Sequence, residues 1–239
     1  MGIVWLNDEN KSQFPDVSLA TAQGLLAAGG DLSAQRLLHA YRRGIFPWFN
    51  KHDPILWWCP DPRMVLYTDN VKVSKSLKKT LRKNQFKVTL DTSFEQVMLA
   101  CSAPRSDGMD AEHATWIHDN MIKAYTELYQ QGHAHSVECW QNDVLVGGLY
   151  GVAIGHMFFG ESMFSKVSDS SKVALVCLCQ QLERWNISMI DCQIYSDHLA
   201  SLGAEEIPRA WFIEHLETAC NETLLPQKWQ LDLDLPNTL

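Results

Sequence analysis

Asp191 and Gln193 stand two residues apart in Ile190-Asp-Cys-Gln. On a strand, that spacing turns the carboxylate and the carboxamide to one face and leaves Ile190 and Cys192 on the other. An acid and an amide side by side on an otherwise apolar sheet are costly to bury alone, so they are expected either to pair with each other or to meet a substrate. A second group is Lys75, Lys78, Lys79, Arg82 and Lys83, spaced i, i+3, i+4, i+7 and i+8. On a helix these five cations form one stripe, with Leu77 and Leu81 on another face. The helix is then either an ordinary solvated surface or a contact for a polyanion, of which a phosphate backbone is the commonest.

Other chemistry finds no home. There is no GxxxxGK[ST] and no GxGxxG after a strand, so nucleotide-driven activation and dinucleotide redox chemistry have no visible site, and an enzyme would need a substrate that arrives activated. Gly160-Glu-Ser-Met-Phe begins like a nucleophile elbow, but Phe164 occupies the place of the second glycine. His133 and His135 lie i, i+2 without a neighbouring cluster, which suits strand chemistry better than a metal; no metal and no cofactor are assigned.

These groups need positioning elements. Periodicity and turn residues predict helices over 18–28 and 33–43, forming an opening helical hairpin, and over 74–83, 93–101, 117–131, 170–185 and 208–220, with a short one from Asp197. Strands are expected at 86–90, 156–160 and 188–195, and a β-hairpin at 135–140 and 144–152 around Gln141-Asn-Asp. The prolines and aromatics of Ile45–Phe49 and Ile55–Leu66 indicate an extended, packed linker. Together this is an α+β layout with one mixed sheet, and a boundary near residue 70 divides a small first domain (1–70) from a larger second one (71–239).

With 46% apolar residues among 239, the chain can bury a substantial core. Apolar runs such as Ala174 to Cys179 are far short of the roughly 20 residues that cross a bilayer, and the start lacks a signal sequence, so a cytoplasmic protein is expected. Seven cysteines without a CxxC pair suit reduced, mostly buried thiols. The net charge of −8 is unevenly spread: residues 36–90 carry twelve basic and three acidic side chains, or +9, leaving −17 on the remainder.

Nine segments together resemble the leucyl/phenylalanyl-tRNA–protein transferase family. They are Gly24-Leu-Leu-Ala-Ala-Gly-Gly-Asp-Leu, Tyr41-Arg-Arg-Gly-Ile-Phe-Pro-Trp-Phe, Ile55-Leu-Trp-Trp-Cys-Pro-Asp-Pro-Arg, Thr115-Trp-Ile, Gly132-His-Ala-His-Ser-Val-Glu, Val146-Gly-Gly-Leu-Tyr-Gly, Phe159-Gly-Glu-Ser-Met-Phe-Ser, Ile190-Asp-Cys-Gln and His198-Leu-Ala-Ser-Leu-Gly-Ala-Glu-Glu-Ile-Pro-Arg. The resemblance implies transfer of Leu, Phe or, less efficiently, Met from aminoacyl-tRNA to proteins with an N-terminal Arg or Lys, marking them for degradation. It also implies a monomer with a small N-terminal α/β domain and a GNAT-like (acetyltransferase-like) catalytic domain.

The same resemblance assigns Trp48 and Trp116 to the terminal adenosine of the tRNA. It assigns Leu149, Phe158, Met163, Leu178 and Ile190 to an apolar amino-acid pocket, and Glu161, Asp191 and Gln193 to the polar centre. Gln193 is expected to accept from and orient the attacking amine, with Asp191 fixing Gln193 and offsetting charge on the nitrogen. Two alternatives stand beside this. An acyl-CoA-dependent N-acetyltransferase would need a Gln/Arg-x-x-Gly-x-Gly/Ala loop, which does not precede the helix at Ser170. A non-catalytic tRNA-binding module would use Lys75 to Lys83 and leave Asp191 and Gln193 without a role.

Overall fold

A computed structural model describes residues 2–7, 10–11, 13–103, 117–222 and 228–232. Its frame is a seven-stranded sheet in the order β11-β5-β10-β9-β8-β7-β6, formed by β5 (Arg63–Tyr67), β6 (Lys87–Leu90), β7 (Ala134–Gln141), β8 (Val144–Ile154), β9 (Met157–Ser165), β10 (Met189–Gln193) and β11 (Glu205–Ile207). Neighbours are antiparallel except β9 and β10, which run parallel. The smaller sheet, order β1-β2-β4-β3, is built from β1 (Val4–Leu6), β2 (Leu25–Gly29), β3 (Phe46–Pro47) and β4 (Leu56–Trp58).

Period-two alternation divides the large sheet between two buried layers. Val65, Tyr150, Phe159 and Met189 face a core shared with the small sheet, α1 (Ala34–Tyr41), α3 (Phe94–Ser102), α4 (Asp119–Gln130) and α7 (Arg209–Ala219). Their neighbours Met64, Leu66, Leu149, Phe158 and Ile190 face the opposite core, covered by α2 (Lys75–Arg82) and α5 (Ser170–Arg184). Trp229 closes this second core from the end of the described chain: its ring stacks on His135 with centroids 3.8 Å apart and lies 5.8 Å from Phe158. The Trp229 backbone N–H donates to Asp91, whose same carboxylate oxygen lies 2.8 Å from His135 Nδ1, so His135 is engaged in ordinary packing.

The mixed α+β architecture follows the sequence reading, except that two sheets stand where one was expected, and three further corrections apply. Residues 18–28 are not a helix and no helical hairpin opens the chain: a 3-10 turn at Val17–Leu19 is followed by strand β2. The favourable helix propensity of Leu25 to Ala28 yields to pairing with β1 and β4 and to burial of Leu26, Ala27 and Ala28. Gly24 sets up the strand at φ 93°, where a Cβ would lie 2.6 Å from Pro60 Cα. Next, the proline-rich linker is extended, yet it supplies strands to both sheets, and β5 lies inside the large sheet although it precedes residue 70. Finally, the strand expected at 156–160 continues to Ser165 as β9, and the one expected to reach Tyr195 stops at Gln193.

Candidate active site

The parallel pairing of β9 with β10 is short: Ile190 opposes Phe158 and Asp191 opposes Phe159. Immediately beyond, both strands carry an extra residue. On β9, Gly160 opposes Gly151 and Ser162 opposes Tyr150, leaving Glu161 without a register partner. On β10, Asp191 opposes Val65 and Gln193 opposes Met64, so Cys192 is the extra residue. Such bulges interrupt a ladder and re-aim side chains. Gln193 takes φ 66°, the left-handed region that a non-glycine residue occupies at a cost of roughly 1–3 kcal/mol.

A cleft of about 890 Å³ opens where the strands part, within the usual range for small-ligand sites of roughly 300–1,000 Å³. The structure brings Leu149, Phe158, Met163, Leu178 and Ile190 together along its apolar wall, and Glu161 and Gln193 also line it. Trp48 is at the margin, 39% exposed, its ring 5.6 Å from Trp58, which donates from its indole N–H to the Trp48 carbonyl at 2.7 Å. Trp116 lies outside the described residues.

Asp191 is not in the cleft, which corrects the same-face expectation. It is fully buried and held by Arg63, equally buried, through Nε to Oδ1 at 2.7 Å and a second nitrogen to Oδ2 at 2.6 Å. The remaining guanidinium nitrogen donates to the Gly44 carbonyl at 2.9 Å, and Phe46 and Phe212 cover the cation at 4.8 and 4.6 Å. The bulge separates the acid from the amide: Asp191 Oδ1 accepts from the Gln193 backbone N–H at 2.9 Å, not from its side chain. Asp191 therefore fixes the backbone of Gln193 in its left-handed turn.

Glu161 is the carboxylate that holds the amide. Its Oε1 accepts from Gln193 Nε2 at 2.9 Å and from the Tyr41 hydroxyl at 2.7 Å, and its Oε2 accepts from the Tyr125 hydroxyl at 3.0 Å. Desolvation pushes Glu161 up to about 7; the Tyr41, Tyr125 and Gln193 hydrogen bonds oppose the rise and the charge of Asp191 adds to it. Burial, followed by the Glu161 charge, raises both tyrosines well above their ordinary range, so they remain donors. One N–H of its nitrogen end is given to Glu161, while its carbonyl end has no protein partner among the described residues, and Gln193 lines the cleft.

Arg63, Tyr41 and Tyr125 are the members that sequence reasoning missed. Arg63 opens the apolar stretch Met64–Leu66, and a lone cation on a buried strand is the available signal. Tyr41 and Tyr125 sit on apolar helix faces and look like core.

The cationic stripe is separate. Lys75, Lys78, Lys79, Arg82 and Lys83 surround one shallow surface depression, and among the described residues none of them forms an ion pair. Ser74 caps the helix by accepting from the Leu77 N–H, Leu77 is buried, and Thr80 donates to Asp169 at the start of α5. Among the described residues no cluster of three or more His, Cys, Asp or Glu could hold a metal, and no helix is long and apolar enough to span a membrane.

Comparison with known proteins bears on what this cleft serves. The family model described as leucyl/phenylalanyl-tRNA protein transferase matches residues 65–217, and that of the family's N-terminal domain matches 30–61. A leucyl/phenylalanyl-tRNA–protein transferase of Nitrosospira multiformis is 55% identical over 96% of this chain and 97% of its own length. One of Hydrogenovibrio crunogenus is 53% identical over 96% and 89%, and one of Nitrosomonas europaea 54% over 93% and 94%. Among solved structures, a GCN5-related N-acetyltransferase of Kribbella flavida matches distantly, with a TM-score of 0.31 and 11% identity over 68% of this chain and 56% of that one. With both of its parts matched and half of its residues shared with such relatives along nearly their whole length, this chain belongs to the leucyl/phenylalanyl-tRNA–protein transferase family of enzymes.

Proposed function

We propose that this protein transfers Leu or Phe, and less efficiently Met, from aminoacyl-tRNA to the N-terminal Arg or Lys of acceptor proteins, forming a peptide bond that marks them for degradation. The observation that carries this reading is the joining, in one cleft, of an apolar wall with a carboxylate-held carboxamide, with a half-exposed tryptophan at the margin. The wall takes the amino-acid side chain, and Trp48 stacks on the terminal adenine. One methylene changes such binding by roughly 1–3 kcal/mol, so Leu, Phe and Met are graded while β-branched Ile and Val clash.

In the reaction, the acceptor's neutral α-amine attacks the ester carbonyl carbon. The C–N bond forms, the C–O bond to the ribose breaks, and a proton from the amine ends on the ribose oxygen. An α-amine has an ordinary pKa near 8, so an appreciable fraction is already neutral at physiological pH and no strong base is required. Gln193 accepts from the amine through its carbonyl end and orients it. Glu161, rather than the Arg63-neutralised Asp191, offsets positive charge developing on nitrogen. Alignment supplies much of the acceleration, since intramolecular reactions of good geometry reach effective molarities of about 10⁵ M or more. The cationic stripe on α2 meets the tRNA backbone.

The test supplies leucyl-tRNA and, separately, acetyl-CoA to peptides beginning with Arg or with Ala. Leucine is expected on the Arg peptide only. Acetyl transfer would favour the acyl-CoA reading, and tRNA binding without any transfer would favour the binding module. The first of these has a physical difficulty: the start of α5 carries Asp169, whose carboxylate would repel a pyrophosphate there.

A further inference from the structure

One polar atom beside the cleft is unaccounted for. Tyr150 is completely buried and lines the cleft, yet its hydroxyl has no hydrogen-bond partner among the described residues. Phe94 and Tyr125 pack edge-on against its ring, at 6.0 and 5.8 Å, and hold it in place. An orphaned buried hydroxyl is costly and rare in a native structure, so it calls for a use. Most other donors around the polar pair are engaged: the Tyr41 and Tyr125 hydroxyls and one N–H of Gln193 Nε2 on Glu161, and the Gln193 backbone N–H on Asp191.

Its position matches the one atom the described reaction leaves without a partner. Tyr150 is the register partner of Ser162, next to the bulged Glu161, and it directly follows Leu149 of the apolar wall on β8. The Tyr150 side chain points away from Leu149, to the face of the sheet on which Phe94 and Tyr125 pack, and reaches the cleft from that side. An aminoacyl ester whose side chain lies on the apolar wall and whose carbonyl carbon lies beside Gln193 can turn its carbonyl oxygen to the part of the cleft that Tyr150 and Glu161 line. That oxygen becomes negative as nitrogen attacks. Resting on the transferase reading above, we propose that the Tyr150 hydroxyl is a further catalytic group, donating a hydrogen bond to the ester carbonyl oxygen as it becomes tetrahedral. The phenol keeps its proton throughout; burial, with the Glu161 charge behind it, keeps it in the donor form.

Tyr150→Phe separates this role from a structural one. Loss of one oxyanion donor lowers kcat by roughly 10²–10³-fold, so a fall of about 100-fold is expected, with the KM for leucyl-tRNA unchanged and the loss uniform from about pH 6 to 9. The free variant should unfold at higher temperature than the native protein, because an unsatisfied hydroxyl has been removed. A rate within threefold of the native enzyme overturns the proposal. So does a shifted pH limb, which would mean that Tyr150 acts through Glu161, or a lower Tm, which would mean that the hydroxyl has a partner in solution, such as a buried water. A native protein that transfers no leucine overturns the transferase reading and this one together, whereas an active native protein with an active variant overturns this one alone.

Discussion

Glu161 shows how one side chain links stability to activity. Its pKa in the folded protein, about 7, exceeds its ordinary 4.5, so folding favours the protonated form. That contribution is fully present below about pH 4.5 and is lost as pH rises through 7. Glu161→Gln abolishes the titration. Its stability relative to the native protein should therefore improve by up to about 3 kcal/mol between pH 5 and 8.5 in urea unfolding, at roughly 1.4 kcal/mol for each tenfold difference in proton affinity between the folded and unfolded chain. An identical difference at both pH values would place the titration elsewhere. Asp191 behaves differently. Asp191→Ala strands the buried Arg63 cation and should cost about 3–5 kcal/mol of stability, while Gln193→Ala should fold normally and lose turnover, as denaturation and single-turnover rates of the two variants would show. The spacing of Asp191 and Gln193 singled the two residues out, but the common face it implied is undone by the bulge at Cys192. Their division of labour was not legible, because Arg63, Tyr41 and Tyr125 each lie far from them in the chain and look locally like an ordinary strand end and core aromatics.

At the scale of elements, the large sheet was readable because burial on two faces imposes a period of two, visible in Leu149 against Tyr150 and Phe158 against Phe159. The two bulges were not, since one additional residue leaves hydrophobic alternation almost intact while redirecting every side chain beyond it. Residues 18–28 misled for a related reason: alanines and leucines favour a helix locally, and only the partners β1 and β4 make β2 a strand. The α2 helix was legible because its cap, its buried Leu77 and its charge stripe are all local. Its role in binding is open to a direct measurement. Reversing Lys78, Lys79 and Arg82 to Glu should raise the apparent KM for tRNA and flatten its dependence on salt, by a logarithmic slope of roughly 0.7–0.9 for each phosphate that is no longer neutralised. An unchanged slope would leave α2 as plain solvated surface.

At the scale of the whole molecule, charge is divided along the chain. The basic excess falls within residues 36–90 and the acidic excess elsewhere, a division along the chain that would suit the polyanion and the cationic peptide end proposed above as partners. Because both are summed properties, they were readable without any fold. The support of the cleft's apolar wall was not, because it depends on a residue distant in the chain returning to the sheet: Trp229 packs behind Phe158, between His135 and Trp185. Trp229→Ala should cost about 3–5 kcal/mol of stability. It should also shift the ratio of kcat/KM for Phe-tRNA over Leu-tRNA toward the larger side chain, since Phe158 would gain room to recede; an unaltered ratio would show that Phe158 stands without this support. Selectivity can then drift by substitutions in the tail, with every residue facing the cleft unchanged, so two relatives with the same cleft lining can still prefer different amino acids.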